Sequence, residues 1–258
     1  MPSSPSSKAE PIRKPKAAVR DRGRLAELIA YPYAHRGLHG RGPIENSRAA
    51  FAAAIARRHG IELDVQASRD GDAFVFHDYD LHRLTGESGA VRDHGSDELA
   101  HVRLAGTDET IPTLPEILEL VGGRVPLLIE VKSPDRRVAP LCQSVRSALE
   151  GYSGVVAVMS FNPQIGRWFA RYAPEIVRGL VVTEENRRGL RGRIGRRLAF
   201  MRARPHFLAY DIRDLPSRFA AWARGRGLPI LTWTVRTPRD GATAEVHASQ
   251  IIYEIPPR

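Results

Sequence analysis

The sequence is poor in cysteine and in aromatic residues, and it has no long apolar run. Cys142 is the only cysteine among 258 residues, which excludes an intramolecular disulfide framework and a zinc site of the CxxC type. No run of about 18 apolar residues occurs, which excludes a transmembrane helix. Aromatic residues make up 7% of the chain and hydrophobic residues 42%, so a core can form without a membrane. We interpret Cys142 as a small core residue, because apolar residues recur around it at helical spacing.

Acidic residues are outnumbered by basic ones, 29 against 39, and the formal net charge is +10. Residues 1–24 are rich in Ser, Pro and basic residues and show no apolar periodicity, so we expect a disordered basic tail. This tail lacks the apolar segment of a secretory signal, and we expect a cytoplasmic protein. We expect residues 25–258 to form one domain, because single-domain barrels of about 250 residues are common.

A second basic segment, residues 187–204, contains eight arginines and no acidic residue. Four apolar residues recur in it at helical spacing: Leu190, Ile194, Leu198 and Met201. The spacing is typical of an outer barrel helix with a solvated basic face. The alternative is a surface that attracts polyanionic substrates or anionic lipid headgroups, and therefore makes a peripheral membrane contact. We expect no nucleic-acid binding, because few aromatic residues lie among the arginines.

Short apolar runs with strand character recur eight times, and segments with helical spacing separate them. The strand-like runs are Tyr33–His35, Ile61–Val65, Leu127–Val131, Val155–Ser160, Val177–Val182, Phe207–Tyr210, Ile230–Val235 and Ile251–Tyr253. The helical segments are Ser47–Arg58, Leu114–Val121, 137–149, 164–172, 187–202, 215–225 and 239–247, with Asn46 and Thr113 as candidate N-caps. Eight strands joined by seven helical crossovers predict an α/β fold, the parallel (β/α)8 TIM barrel.

A ninth strand-like run, Ala73–His77, follows the second strand after only a few residues. Parallel neighbours need a crossover of about a dozen residues, so this run is expected to be a hairpin arm. With Asp70-Gly71 as a two-residue turn, His77 would lie opposite Asp64. We therefore expect a short hairpin and an insertion after the second strand of the barrel.

Carboxylates and a lysine share faces of two neighbouring strands. Because alternate side chains of a strand point the same way, Glu62 and Asp64 share one face, as do Glu130 and Lys132. Both pairs lie near the carboxyl ends of their strands, where barrel enzymes have their active sites. Three carboxylates in one cavity would repel one another unless a divalent cation binds to them or they are protonated, and all-oxygen ligands favour Mg²⁺ or Ca²⁺ over zinc. For Glu62 and Asp64 alone, a solvated strand face is the alternative.

Two histidines follow strand-like runs, His35 before Arg36 and His77 before Asp78. A histidine pair can supply a neutral base and a charged acid near neutral pH, and Arg36 and Lys132 could hold a phosphate. Together with a divalent cation, these groups suit phosphoryl transfer. As alternatives, Arg36 and Lys132 belong to an ion network of the barrel, and Asp78 is a turn residue that orients His77. Trp233 either packs inside the barrel or lines a substrate cleft.

Several spaced motifs resemble the glycerophosphodiester phosphodiesterase family, whose (β/α)8 barrels are related to phosphatidylinositol-specific phospholipases C. They are His35-Arg36-Gly37, Ile44-Glu45-Asn46-Ser47 with Phe51, Glu62-Leu63-Asp64-Val65, His77-Asp78 with Leu81, Arg83 and Thr85, Glu130-Val131-Lys132, and more weakly Ser160-Phe161 and Trp233-Thr234-Val235. The resemblance covers residues 32–255. The sequence departs from the family by an added Ile44 before Glu45, and the family's insertion, here residues 78–112, is short and polar.

The resemblance implies a metal-dependent phosphoric diester hydrolase that releases an alcohol and sn-glycerol 3-phosphate from a glycerophosphodiester. By position it implies Glu62, Asp64 and Glu130 as metal ligands, His35 and His77 as the general acid–base pair, and Arg36 and Lys132 as phosphate contacts. The departing alcohol, the choice of Mg²⁺ or Ca²⁺, and direct water attack or a cyclic phosphate stay open. Two alternatives stay open as well: a lysophospholipase D or phospholipase C-like enzyme on membrane lipid, and a non-catalytic barrel that binds anions or nucleic acid.

Overall fold

Eight parallel strands close into a barrel in the computed structural model, which describes residues 23–40 and 42–255. The barrel strands are β1 (Tyr33–Ala34), β2 (Gly60–Ala67), β4 (Leu127–Val131), β5 (Val156–Ser160), β6 (Val177–Val182), β7 (Phe207–Asp211), β8 (Ile230–Val235) and β9 (Gln250–Tyr253). Each strand pairs with the next, and β1 pairs in parallel with both β2 and β9, which closes the ring. The predicted TIM barrel is confirmed.

Helices follow the strands: most of them cover the outside of the barrel, and two short ones lie in the insertion after the hairpin. They are α1 (Arg48–Ala56), α2 (His82–Thr85), α3 (Ser96–Leu99), α4 (Leu114–Val121), α5 (Ala139–Leu149), α6 (Pro163–Tyr172), α7 (Leu190–Ala203), α8 (Arg218–Arg224) and α9 (Pro238–His247). Residues 23–28 are helical as well, and the rest of the predicted tail, residues 1–22, lies outside the described residues. Among the described residues, no helix is both long and apolar enough to cross a membrane.

Alternate side chains of β2 point to opposite sides of the barrel wall. Ile61, Leu63 and Val65 are fully buried in the apolar layer between the strands and the helices. Glu62 and Asp64 point the other way, as alternate residues of a strand must. Cys142 on α5 is buried in the same apolar layer, where burial raises its pKa to about 12, so its interpretation as a core residue is confirmed.

The start of α1 differs from its prediction. Thr113 caps α4 as expected, but the N-cap of α1 is Ser47, whose Oγ accepts a hydrogen bond from the backbone N–H of Ala50 at 3.1 Å. Asn46 has a positive φ of 57°. Its side-chain amide donates to Asp64 Oδ2 at 3.0 Å and its Oδ1 accepts from the Asp64 backbone N–H at 3.3 Å. The side chain of Asn46 therefore binds Asp64 of β2 and does not cap the helix.

The predicted hairpin is present, but its register differs by one residue. The strand β3 (Ala73–Val75) is antiparallel to β2, with Val65 opposite Val75. The loop contains three residues instead of two, and its last residue, Gly71, has a φ of +97°. Such a loop with a left-handed third residue is a common hairpin connection. Phe76, and not His77, therefore lies opposite Asp64, and its backbone N–H donates to the Asp64 carbonyl at 3.1 Å.

The insertion after the hairpin has a small apolar core of its own, although its composition is polar. Phe74 and Phe76 of the hairpin contribute to this core. The insertion adds five buried apolar side chains: Leu81, Val91, Leu99, Leu104 and Ile111. The hairpin and the insertion thus form one packed unit beside the carboxyl end of β2, and this unit carries His77.

Candidate active site

Three carboxylates converge at the carboxyl ends of β2 and β4. These strands are direct neighbours, with Asp64 in register with Glu130 and Glu62 one pleat earlier on the same face. One oxygen of each carboxylate lies within 4.8 Å of the others. Glu62 and Asp64 are each 1% exposed, so solvent screens their charges little. The interpretation as a solvated strand face is therefore wrong for this pair.

Burial, and after it the charges of the neighbouring groups, shift the pKa values of the three carboxylates. Burial and then the charges of Asp64 and Glu130 raise the pKa of Glu62 well above its ordinary value. Burial raises the pKa of Glu130 to about 7, against the opposing charge of Lys132. For Asp64, burial is outweighed by the charges of Lys132 and Arg36, and its pKa is lowered. The three carboxylates offer only oxygen ligands, and their negative charges lie close together. Such a set of ligands fits a hard divalent cation such as Mg²⁺ or Ca²⁺.

Two cations border the carboxylates. Lys132 Nζ lies 3.4 Å from Asp64 Oδ1 and 3.5 Å from Glu130 Oε1. Arg36 Nη1 lies 2.7 Å from Glu45 Oε1, and Arg36 Nε lies 3.4 Å from Asp64 Oδ2. Both cations therefore belong to an ion network, and both also lie on the wall of the cavity.

His35 follows directly after β1 and is held from the opposite end of the chain. Its ring Nδ1 lies 2.5 Å from Glu254 Oε1, just after β9, and its Nε2 lies 3.8 Å from Glu62 Oε2. Arg236 Nε donates to the second oxygen of Glu254 at 2.6 Å. Burial lowers the pKa of His35, although the Glu254 carboxylate opposes that effect. A carboxylate at Nδ1 fixes the orientation of the ring and favours the tautomer with its proton on that nitrogen.

His77 has a matching arrangement on the hairpin unit. Its Nδ1 lies 2.6 Å from Asp78 Oδ1, and Arg83 donates to both oxygens of Asp78 and to both oxygens of Glu45. Burial lowers the pKa of His77. Although burial alone would raise the pKa of Asp78, hydrogen bonds from Arg83 and His77 lower it to about 2. Asp78 therefore stays ionised at neutral pH, and its contact favours the interpretation that it orients His77.

A cavity of about 530 Å³ brings all of the sequence-predicted site residues together. Its wall includes His35, Arg36, Glu62, Asp64, His77, Glu130, Lys132 and Trp233. The Trp233 indole N–H donates to the Ala209 carbonyl at 3.1 Å, and the ring meets Phe161 edge to face with centroids 5.6 Å apart. Trp233 is thus anchored in the barrel and also lines the cavity. Both sequence interpretations of this residue hold in part.

Sequence reasoning missed Glu254 and the part played by Arg83. Glu254 is the first residue after β9, just as His35 is the first after β1, so its place at the carboxyl end of a barrel strand was an available signal. Arg83 lies in the insertion, and no spacing rule connects it to Glu45. Its contacts join the two loops that carry Arg36 and His77.

The chain resembles known proteins along most of its length. The model of the Glycerophosphoryl diester phosphodiesterase family matches residues 35–253. A Glycerophosphodiester phosphodiesterase of Bacillus altitudinis is 36% identical over 155 residues, 56% of this chain and 63% of that protein. One of Caldanaerobacter subterraneus subsp. tengcongensis is 35% identical over 160 residues, 57% of this chain and 65% of that protein. The chain thus spans slightly less than two thirds of these relatives.

A solved structure extends the likeness to nearly the whole barrel. The crystal structure of glycerophosphodiester phosphodiesterase from Thermotoga maritima superimposes with a TM-score of 0.69 at 26% identity, covering 86% of this chain and 92% of that one. Barrel, carboxylate cluster and family match agree with one another. The chain therefore belongs to the glycerophosphoryl diester phosphodiesterase family, a family of phosphoric diester hydrolases.

Proposed function

We propose that this protein hydrolyses glycerophosphodiesters to an alcohol and sn-glycerol 3-phosphate. The observation that carries the proposal is the cavity itself, in which three carboxylates, two cations and two carboxylate-held histidines meet at the carboxyl end of a barrel of this family. In this reaction an oxygen nucleophile attacks phosphorus, the P–O bond to the alcohol breaks, and the alcohol leaves with a proton. The nucleophile is a water molecule, which gives glycerol 3-phosphate directly, or a neighbouring hydroxyl of the substrate, which gives a cyclic phosphate that a water molecule then opens to glycerol 3-phosphate.

We propose Glu62, Asp64 and Glu130 as the ligands of a divalent metal ion, Mg²⁺ or Ca²⁺. When bound, such an ion supplies positive charge that stabilises the phosphoryl oxygens. The raised pKa values of Glu62 and Glu130 support this assignment, because burial removes the solvent that would stabilise both carboxylates, and neighbouring carboxylates add to this effect at each of them. Lys132 and Arg36 offset only part of the negative charge of the three carboxylates, and both lie where they can also contact a phosphate.

We propose His35 and His77 as the two proton-transfer groups. Each ring is held at Nδ1 by a carboxylate, which leaves Nε2 as the nitrogen that exchanges a proton with the substrate. Burial lowers the pKa of both rings, so both favour the neutral form near pH 7. An anionic phosphodiester beside them would raise the pKa of one ring and allow it to act as the acid.

A second candidate substrate is an intact lysophospholipid, as in a lysophospholipase D. The observation that favours it is a pair of exposed aromatic residues: Phe161, 44% exposed, lines the cavity, and Tyr79, 49% exposed, lies beside His77 and Lys132. Exposed aromatic side chains suit contact with an acyl chain. The soluble substrate and the lipid can be compared directly in one assay.

The proposed function is tested by measuring glycerol 3-phosphate release from glycerophosphocholine and glycerophosphoethanolamine. We expect release that stops with EDTA and returns with Mg²⁺ or Ca²⁺. His35→Ala and His77→Ala should each lower kcat by roughly 10²–10⁴-fold without loss of fold. His101→Ala is the matched control, because His101 is exposed in the insertion and contacts the Asp97 carbonyl.

The same assay with lysophosphatidylcholine distinguishes the second candidate. Release of choline from the lipid, with none from the soluble diesters, would favour lysophospholipase D. Full activity in EDTA would remove the metal from the proposal. No turnover of either substrate class with any metal would favour the non-catalytic, anion-binding barrel.

A further inference from the structure

Helix α7 does not pack against the barrel through its regularly spaced apolar residues, as the sequence pattern would predict. A different face of the helix makes this contact. Ala203 is buried and Phe200 packs edge to face against Phe219, with ring centroids 6.3 Å apart. Arg196 is also buried, and its guanidinium lies 3.0 Å from Glu184 Oε2. Gly166 of α6 closely approaches Ala203. The inner face of α7 is therefore made of small, aromatic and paired groups.

The regularly spaced apolar residues of α7 lie on the opposite, exposed face. We call these four residues the outer stripe; they are Leu190, Ile194, Leu198 and Met201, exposed by 69%, 51%, 56% and 62%. They lie on successive turns along the whole helix. Large apolar side chains in one contiguous exposed row mark an interaction surface, whereas single ones do not.

Arginines border the outer stripe on both sides. At about 100° per residue, Arg191 and Arg202 fall on one side, and Arg193 and Arg197 fall on the other. All four are exposed, and the Arg197 guanidinium lies 4.1 Å from the ring centroid of Trp222. No acidic residue occurs between Glu185 and Asp211 in the sequence. The nearest acidic residues are paired elsewhere.

Those pairings leave the face of α7 strongly positive. Glu184 binds the buried Arg196, and Glu185 lies 3.0 Å from Arg213. Asp214 Oδ1 lies 3.3 Å from Arg188. An apolar row between two basic rows is the composition of helices that lie in the interface of an anionic bilayer. The guanidiniums can reach the headgroups while their alkyl stems cover the apolar row.

We propose that the outer face of α7 binds an anionic lipid surface, with the outer stripe inserted between the headgroups. Charge complementarity selects this occupant. A second copy of the chain would bring two basic faces together, and residues 1–24 are themselves basic, so both would be repelled. Nucleic acid would leave the outer stripe without an apolar partner. The proposal stands independently of the proposed reaction.

The docking face borders the candidate active site. The outer stripe lines one side of a groove of about 790 Å³, and residues 213–219 line the other side. Arg213 of that segment also lines the 530 Å³ cavity of the carboxylates. A bilayer on α7 would therefore lie beside the rim of that cavity. Diesters released at the lipid surface would be produced within a short distance of the site.

The test is binding of the full chain to lipid vesicles, measured by co-sedimentation. We expect binding to phosphatidylcholine vesicles with about 30 mol % phosphatidylglycerol and at least about tenfold weaker binding to pure phosphatidylcholine. The variant Arg191→Gln/Arg193→Gln/Arg202→Gln should bind about 100-fold more weakly, at about fivefold for each arginine near the surface. Ile194→Gln/Leu198→Gln should bind about tenfold more weakly at unchanged charge.

The matched control is Arg57→Gln/Arg92→Gln/Arg103→Gln, which removes the same charge from exposed positions elsewhere. Its binding should change by at most about threefold, because distant charges are screened by salt. All variants should hydrolyse a soluble diester at the rate of the unaltered chain. Equal binding by the Ile194→Gln/Leu198→Gln variant, or equal losses in both arginine variants, would overturn the proposal. The proposal would also be overturned if the unaltered chain formed a dimer in solution and the Ile194→Gln/Leu198→Gln variant did not.

Discussion

At the scale of single residues, the two histidines are held by carboxylates from different parts of the chain. Asp78 is adjacent to His77, whereas Glu254 reaches His35 across the closure of the barrel between β9 and β1. Arg236 binds the other oxygen of Glu254 and thereby limits its rotation. Because Glu254 contacts His35 and none of the three clustered carboxylates, its contribution can be tested separately from the metal.

Glu254→Gln should lower kcat by roughly 10–100-fold with a small change in KM. The Glu254 carboxylate raises the pKa of His35 against the effect of burial, so its removal should lower that pKa further. Whichever limb of the pH–rate profile His35 governs should therefore move to lower pH. The measurement is kcat and kcat/KM against pH for the substrate that is turned over.

Glu245→Gln is the control for that variant, because Glu245 is exposed on α9. Its profile should coincide with that of the unaltered chain. If Glu254→Gln lowered kcat with no shift of either limb, Glu254 would have a structural role only.

At the scale of elements, the close contact between α6 and α7 depends on one glycine, Gly166, which has no side chain to keep the helices apart. A Cβ atom at Gly166 would lie 2.9 Å from both the Cβ and the carbonyl oxygen of Ala203. Such a contact forces the two helices apart. At Gly195, on α7 itself, a Cβ atom would meet nothing within 4 Å. A substitution of glycine by alanine at Gly166 therefore tests helix packing, whereas the same substitution at Gly195 tests helix propensity alone.

Gly166→Ala should destabilise the protein by about 1–3 kcal/mol, because the helices must separate to admit the methyl group. Gly195→Ala should stabilise it by about 0.5–1 kcal/mol, because alanine loses less backbone entropy in a helix. The measurement is the free energy of unfolding in urea for both variants. A stabilising Gly166→Ala would show that α6 and α7 are not packed as described.

At the scale of the whole molecule, the net positive charge conceals a local surplus of negative charge in the barrel. Glu62 and Glu130 have raised pKa values in the folded state, so the folded protein binds their protons more tightly than the unfolded chain does. Their contribution to stability is therefore present below the ordinary carboxyl pKa and is lost as pH rises. For Glu130 the loss extends to about pH 7.

Glu62→Gln should melt a few degrees above the unaltered chain at about pH 8 in EDTA, since 1 kcal/mol shifts Tm by about 2–4 °C in a chain of this size. The advantage should shrink as pH falls, because the Glu62 carboxyl of the unaltered folded chain then becomes protonated and, like the glutamine of the variant, uncharged. Comparing the two chains at each pH cancels the opposite effect of the buried histidines. Added Mg²⁺ or Ca²⁺ should raise the Tm of the unaltered chain more than that of the variant.

Glu119→Gln is the control, because Glu119 is exposed on α4 and remote from the cluster. It should melt like the unaltered chain at every pH, with or without metal. A lower Tm of Glu62→Gln in EDTA at about pH 8 would show that the Glu62 carboxylate stabilises the metal-free fold, against this argument.

The parts of the molecule that follow from local periodicity were predictable. Alternation along Ile61–Val65 and Leu127–Val131 separated core residues from Glu62, Asp64 and Glu130, because successive strand residues point to opposite faces. The hairpin register was not predictable to one residue, because Gly71 adds a third loop position through its positive φ. One such residue exchanges Phe76 for His77 opposite Asp64.

The sequence by itself determined the barrel, its family and the convergence of the carboxylates, because these depend on strand alternation and on motifs within short segments. Only the tertiary structure decided that Glu254 holds His35, since closure of the barrel brings together residues more than 200 positions apart. It also decided which face of α7 meets the barrel. The packed face of α7 depends on the space that neighbouring residues such as Gly166 leave. The spacing of apolar residues along a helix contains no information about that space.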